Sequence, residues 1–150
     1  MHDETALLDE LAEVVKTHAN YDDENVTIGS HRVLDLGVTT AVVVEAGTID
    51  SPEENPYRFQ GGVVSTYTAT VYVYRKFVQD AESRTNLRAD VKNVRETIDG
   101  HPTLNGNTQL CKVTAAGAPL YIGVQNSPPV FIVRILTVSI TKVEEMTILE

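Results

Sequence analysis

Residues 63–77, VVSTYTATVYVYRKF, constrain this chain more than any other stretch. Their period is two: Val63, Tyr67, Ala69, Val71, Val73 and Phe77 point one way, and Thr66, Thr68, Thr70, Tyr72 and Tyr74 the other. β-branched and aromatic side chains suit a pleated, half-buried surface, so the stretch is a strand. One face covers a core. The Thr and Tyr face meets water or a partner, with Tyr72 and Tyr74 expected to be half-buried. At about 3.3 Å per residue, such a strand is long enough to pass beyond a small globule as half of a hairpin. The fold is therefore built on a sheet, and the apolar face needs a cover.

The cover follows directly. Leu87, Val91, Val94 and Ile98 are spaced four, three and four apart and make one narrow stripe on a helix expected over residues 84–99. Ser83 is expected to cap its start and Gly100 to end it in the left-handed conformation, while Pro102 keeps it from resuming. A second stripe lies beside the first. Arg84, Arg88, Lys92 and Arg95 fall within roughly 80° of one another on the same wheel. They are four of only twelve Lys and Arg in the chain, so a third of its positive charge lies on one helix flank. Either the strip is a solvated face, or it docks an acidic neighbour. A second copy of the chain qualifies, because the net charge is −9 and the pI about 4.8.

That charge repels nucleic acid and anionic membranes, although an acidic channel would let DNA slide through without holding it. A chain of 150 residues is expected to form one domain, with about 70% of its extended surface buried. No apolar run approaches the ~20 residues that span a bilayer, so no membrane association is expected. The start MHDETALLDE has no basic region before an apolar one, and no signal peptide is expected. Cys111 is the single cysteine, which excludes an internal disulfide and reads as a small buried apolar residue.

Elsewhere the chain reads as follows. Residues 3–18 make a first helix through Leu7, Leu11, Val14 and Val15, with Leu8 on the edge of the stripe. Asp22, Asp23 and Glu24 lack the Gly and distal Glu of a calcium loop and read as a solvated turn. Strands are expected at 26–28, within 31–36, and at 38–45, where Ala41, Val42, Val43 and Val44 are apolar on both faces. Residues 46–62 hold prolines, glycines and acids and read as a long loop. Within it Tyr57, Arg58 and Phe59 are candidate interface anchors, or else they fold the loop back onto the body. Asn105-Gly106 is a turn, strands follow at 109–115 and 120–124 with a turn at 116–117 between them, and a long strand closes at 130–143. Arg134 lies in its apolar part, so it faces outward or pairs with a carboxylate. The result is an α+β fold: a mostly antiparallel sheet with two main helices, one N-terminal and one mid-chain, packed on it.

The chemistry-bearing residues do not converge in the sequence. His2, His18, His31 and His101 show no metal-ligand spacing, no nucleophile elbow is present, and Gly61-Gly62 precedes a strand instead of opening a helix. His101 is expected to bind the carbonyls at the end of the second helix. No catalytic residue, metal or cofactor is expected, and the chain does not read as an enzyme. One class that these residues leave open is an α+β binding domain or small enzyme, with His31, Asp35 and His101 as its candidates.

The order of elements, the passage Glu96-Thr97-Ile98-Asp99-Gly100-His101-Pro102-Thr103-Leu104-Asn105-Gly106 and the closing Phe131-Ile132-Val133-Arg134-Ile135-Leu136-Thr137-Val138 resemble the tail terminator (tail completion) proteins of long-tailed viruses of bacteria and archaea. Tail tube and head–tail joining proteins are close relatives by architecture. The resemblance implies a structural virion protein, made in the host cytoplasm and built into the head-proximal end of the tail. It implies a homo-oligomeric ring, usually a hexamer, that stops growth of the tail tube protein and docks the head–tail connector protein. DNA would pass through its centre without specific binding. Expected subunit or tail contacts are Arg84, Arg88, Lys92, Arg95, Tyr57, Arg58 and Phe59. Basic flank against acidic surface would join copies head to tail, and long strands would continue their pairing across the boundary.

Overall fold

The computed structural model describes residues 4–18, 20–29, 39–50, 62–104, 110–123 and 130–145. Its elements run α1 (Glu4–Lys16), β1 (Val26–Ile28), β2 (Thr40–Asp50), β3 (Gly62–Lys76), α2 (Asp80–Asp99), β4 (Leu110–Ala116), β5 (Leu120–Ile122) and β6 (Phe131–Glu145). The strands form one sheet of order β1-β2-β3-β6-β4, with β5 also on β6. β1 pairs with β2 in parallel, and every other pairing is antiparallel. The fold is α+β, as the periodicities imply. The strand expected within 31–36 lies outside the described residues.

β3 and β6 are the spine. They pair along their whole length, from Gly62↔Glu145 to Lys76↔Phe131. Among the described residues the β2 ladder ends at Thr66 and the β4 ladder at Thr141, while the β3–β6 pairing continues through residues 62–65 and 142–145. Among the described residues the long strand thus outruns β2. Its partner out there is β6, from the far end of the chain, although β2 and β3 also make a hairpin.

Both helices lie on one face. Leu7, Leu11, Val14 and Val15 of α1 and Leu87, Val91, Val94 and Ile98 of α2 are buried with Val42, Val44, Ala69, Val71, Val73, Leu136, Val138 and Ile140 in one core. Fully burying each such side chain contributes about 1.5–3 kcal/mol, before entropy is counted. Cys111 belongs to this core, and burial pushes its thiol up to about 12. The opposite face carries a smaller core of Ala41, Val43, Tyr74, Phe131 and Val133. Tyr74 is therefore buried instead of half-buried. It sits across from Ala41 on β2 and Val133 on β6, and it meets the Phe131 ring edge-on at 6.4 Å. Tyr72, stacked on it at 6.2 Å, stays half-buried.

Four local expectations change. The second helix begins at Asp80, four residues before Arg84, because Asp80 and Glu82 suit the positive end of the helix dipole. Ser83 is then inside the first turns; its buried Oγ accepts the N–H groups of Val78 (2.9 Å) and Gln79 (3.3 Å) and so closes the helix start from within. Gly100 is right-handed, with φ −73°, and its N–H reaches the Glu96 carbonyl at 2.9 Å. The left-handed residue is Leu104, with φ 44°, held by its complete burial at the end of the reversal. Finally, β2 extends through residues 46–50, the first part of the expected loop, past a register shift between Ala46 and Ile49. Gly47 sits in that irregularity, and a Cβ there would collide with the Thr68 carbonyl oxygen.

Candidate assembly interface

α2 has two polar flanks with opposite fates. On one, the Asp90 carboxylate is buried between the helix and the sheet. It accepts from Arg75 Nη1 (3.3 and 3.5 Å) and from Thr40 Oγ1 (3.4 Å). Tyr21, after α1, donates its hydroxyl to the Asp90 carbonyl at 3.5 Å. Burial raises the Asp90 pKa from its ordinary value, against the opposing pull of Arg75. This cluster ties α2 to β2, β3 and the end of α1. Asp90 belongs to no motif in the sequence; its one signal there is an acid beside the apolar stripe, one turn from Leu87 and Val94.

The other flank carries the basic strip, and it faces the β4–β5 edge. Arg84 Nε donates to Tyr121 Oη of β5 at 2.6 Å, its guanidinium lies 5.6 Å from the centroid of that ring, and Tyr121 Oη donates to Asp80 Oδ1 at 2.6 Å. Arg95 lies 3.8 Å from Asp99, whose Oδ1 accepts the Val113 N–H of β4 at 2.9 Å. Three of the four basic residues have acidic partners four positions away: Arg84 with Asp80, Lys92 with Glu96, Arg95 with Asp99. These pairs are open to water, with Lys92 and Glu96 72% and 66% exposed, and such pairs are weak because water and salt screen them. Arg88 has no ion-pair partner among the described residues.

A groove opens where this flank meets the sheet. β4 and β5 run along the same side of β6 in the same direction, so residues 116–117 make a jog and not the reversal expected of a turn. Residues 117–119 lie between the Ala116↔Leu136 and Leu120↔Val133 pairs, three residues opposite two. Pro119, without an N–H, cannot continue the ladder. The lifted backbone leaves a groove of about 270 Å³ lined by Arg84, Leu87, Arg88, Pro119 and Arg134. Arg134 neither faces freely outward nor pairs with a carboxylate among the described residues. It is on the helix-facing side of β6, where the jog frees the Gly117 carbonyl, and its Nε donates to that oxygen at 2.8 Å. A quarter of the chain's twelve Lys and Arg thus line one groove.

The opposite sheet edge is acidic. Asp9, Glu10 and Glu13 of α1 and Asp22, Asp23 and Glu24 after it have Lys16 as the one Lys or Arg among the described residues of that segment, and Lys16 Nζ reaches Glu13 at 3.1 Å and Asp23 at 2.7 Å. The 22–25 turn is closed internally, with Asp22 Oδ1 accepting the Glu24 N–H at 2.9 Å and Asn25 Oδ1 accepting the Asp22 N–H at 2.7 Å. It is the solvated turn expected.

Other candidates resolve simply. His101 Nδ1 is 2.8 Å from the Thr97 carbonyl, at the end of α2 as expected. Among the described residues no group of His, Cys, Asp and Glu is placed to hold a metal ion. Among the described residues no helix is long and apolar enough to cross a membrane. His2, His31, Asp35, Tyr57, Arg58 and Phe59 lie outside the described residues. Strand pairing across a boundary is hindered along β4, whose Cys111 and Val113 N–H groups already donate to Pro102 O (2.6 Å) and Asp99 Oδ1. No known family model matches the chain, and no curated protein matches it either.

Proposed function

We propose that this chain is a structural protein of a viral tail, a tail-terminator-like subunit that assembles into a ring at the head-proximal end of the tail tube. Such a ring would end tail polymerisation and give the connector its docking surface. The observation that carries this reading is the sorting of charge across the sheet, acidic at the α1 edge and arginine-rich at the β5 edge. Complementary surfaces at opposite edges of one subunit favour head-to-tail contacts, and these close into a ring when the rotation permits. The acidic remainder would repel DNA phosphates from the walls of a central hole. A tail tube or head–tail joining role rests on the same features.

Electron microscopy and mass photometry of the concentrated protein test it. Rings with a central hole and a mass of about six subunits are expected. A particle that remains a monomer at every concentration, and is missing from purified tails of the virus that encodes it, overturns the reading. One observation favours a second reading: a groove with three arginines around Leu87 and Pro119 suits a small anionic ligand, as in a binding domain. That reading predicts a monomer whose stability rises with the ligand.

A further inference from the structure

We propose that the Arg84–Arg88–Arg134 groove is the receptor for the acidic α1 surface of a second copy of this chain. The proposal deepens the ring reading and rests on it for its biological setting, although the contact itself is tested directly.

Arg84 is engaged by Asp80 and Tyr121, and Arg134 by a neutral carbonyl, while Arg88 has no carboxylate partner among the described residues. Guanidinium groups bind carboxylates through paired N–H donors, so three around one concavity favour an acidic side-chain cluster. The chain supplies one. Asp9, Glu13, Asp23 and Glu24 are exposed on and after α1, and among the described residues Lys16 is the one cation that pairs with them. The two surfaces cannot meet within one subunit. α1 packs over β1 and β2 and also against α2, whose Asp90 meets Tyr21 just after α1, whereas the groove lies on the other flank of α2, with β6 and residues 117–119 at the other end of the sheet order. Each copy therefore offers one receptor and one insert. Apolar contact is available at both edges: Leu120, next to Pro119, is 51% exposed, and Ile28 at the end of β1 is 39% exposed. The overall charge of −9 makes a polyanionic nucleic acid the weaker candidate for the groove.

A charge-swap series on the full chain, read by sedimentation velocity at low ionic strength, tests the contact. Arg88→Glu alone, and Asp9→Arg with Glu13→Arg, should each weaken self-association by about tenfold or more, because like charges then face each other. The three substitutions together should restore it to within about threefold of the parent. Circular dichroism should be unchanged throughout, since all three sites are exposed. Added salt should weaken the parent contact. Association untouched by either reversal overturns the contact and leaves the ring reading standing. Failure of the combined variant to recover, absence of any association at low salt, or Arg88-dependent retention of a short DNA duplex also overturns it. Successful swapping without rings in the microscope sustains the contact and removes the ring.

Discussion

The two flanks of α2 hold charge in different ways. Asp90 is 6% exposed, bonded to Arg75 and Thr40, and shares its residue with the Tyr21 contact. Arg84, Arg88, Lys92 and Arg95 stand in water, and those that pair do so with acids of their own helix. A buried charge with fixed partners serves the fold, because losing a partner strands the other in a medium that solvates it poorly. An exposed pair exchanges partners at little cost, since water and salt already compete for it. One helix can therefore be anchored by charge on one side and remain available to a neighbour on the other.

Breaking the anchored flank should have the largest effect. Asp90→Ala should cost about 3 kcal/mol in denaturant unfolding, because the half-buried Arg75 is left without its carboxylate; a loss below about 1 kcal/mol would show the cluster to be dispensable. The same group makes a signed pH prediction. Its folded pKa is raised, so the contribution of its neutral form is complete below the unfolded carboxylate value and is lost as pH rises through the higher folded value. Relative to an Asp90→Asn variant, the parent should lose stability with rising pH across that window. A difference between the two that does not vary with pH counts against a raised pKa.

Next in size is the closure of the helix start. Ser83→Ala should cost about 1 kcal/mol, since two N–H groups lose their acceptor. If Ser83→Ala unfolds at the same denaturant concentration as the parent, water is serving those groups equally well. The smallest effect belongs to the open flank. Lys92→Ala and Arg95→Ala should each change stability by no more than about 0.5 kcal/mol. A larger stability loss there would mean that the strip belongs to the fold, and the contrast between the flanks would disappear.

Much of the architecture was legible from periodicity. β1 was expected where it lies, β3 is displaced by one residue, and the buried stripes of both helices contain the expected Leu, Val and Ile positions. These elements follow local repeats of two and 3.6, which burial on one face enforces. The basic strip was visible for the same reason. The ends of elements were less legible. Ser83 resembles a cap and Gly100 a left-handed stop, yet both act differently because contacts from 78–79 and the reversal ending at Leu104 decide where the helix terminates.

Local repeats and composition therefore specify a sheet with one apolar face, two helices to cover it, and an excess of acid with a cationic stripe on the second helix. Which sheet edge that stripe borders, the approach of Arg134 across a three-against-two jog, and the place of the α1 acids at the opposite edge come from the assembled sheet. Those relations connect residues that are tens of positions apart. Strand order and register set them, and no local repeat encodes either one.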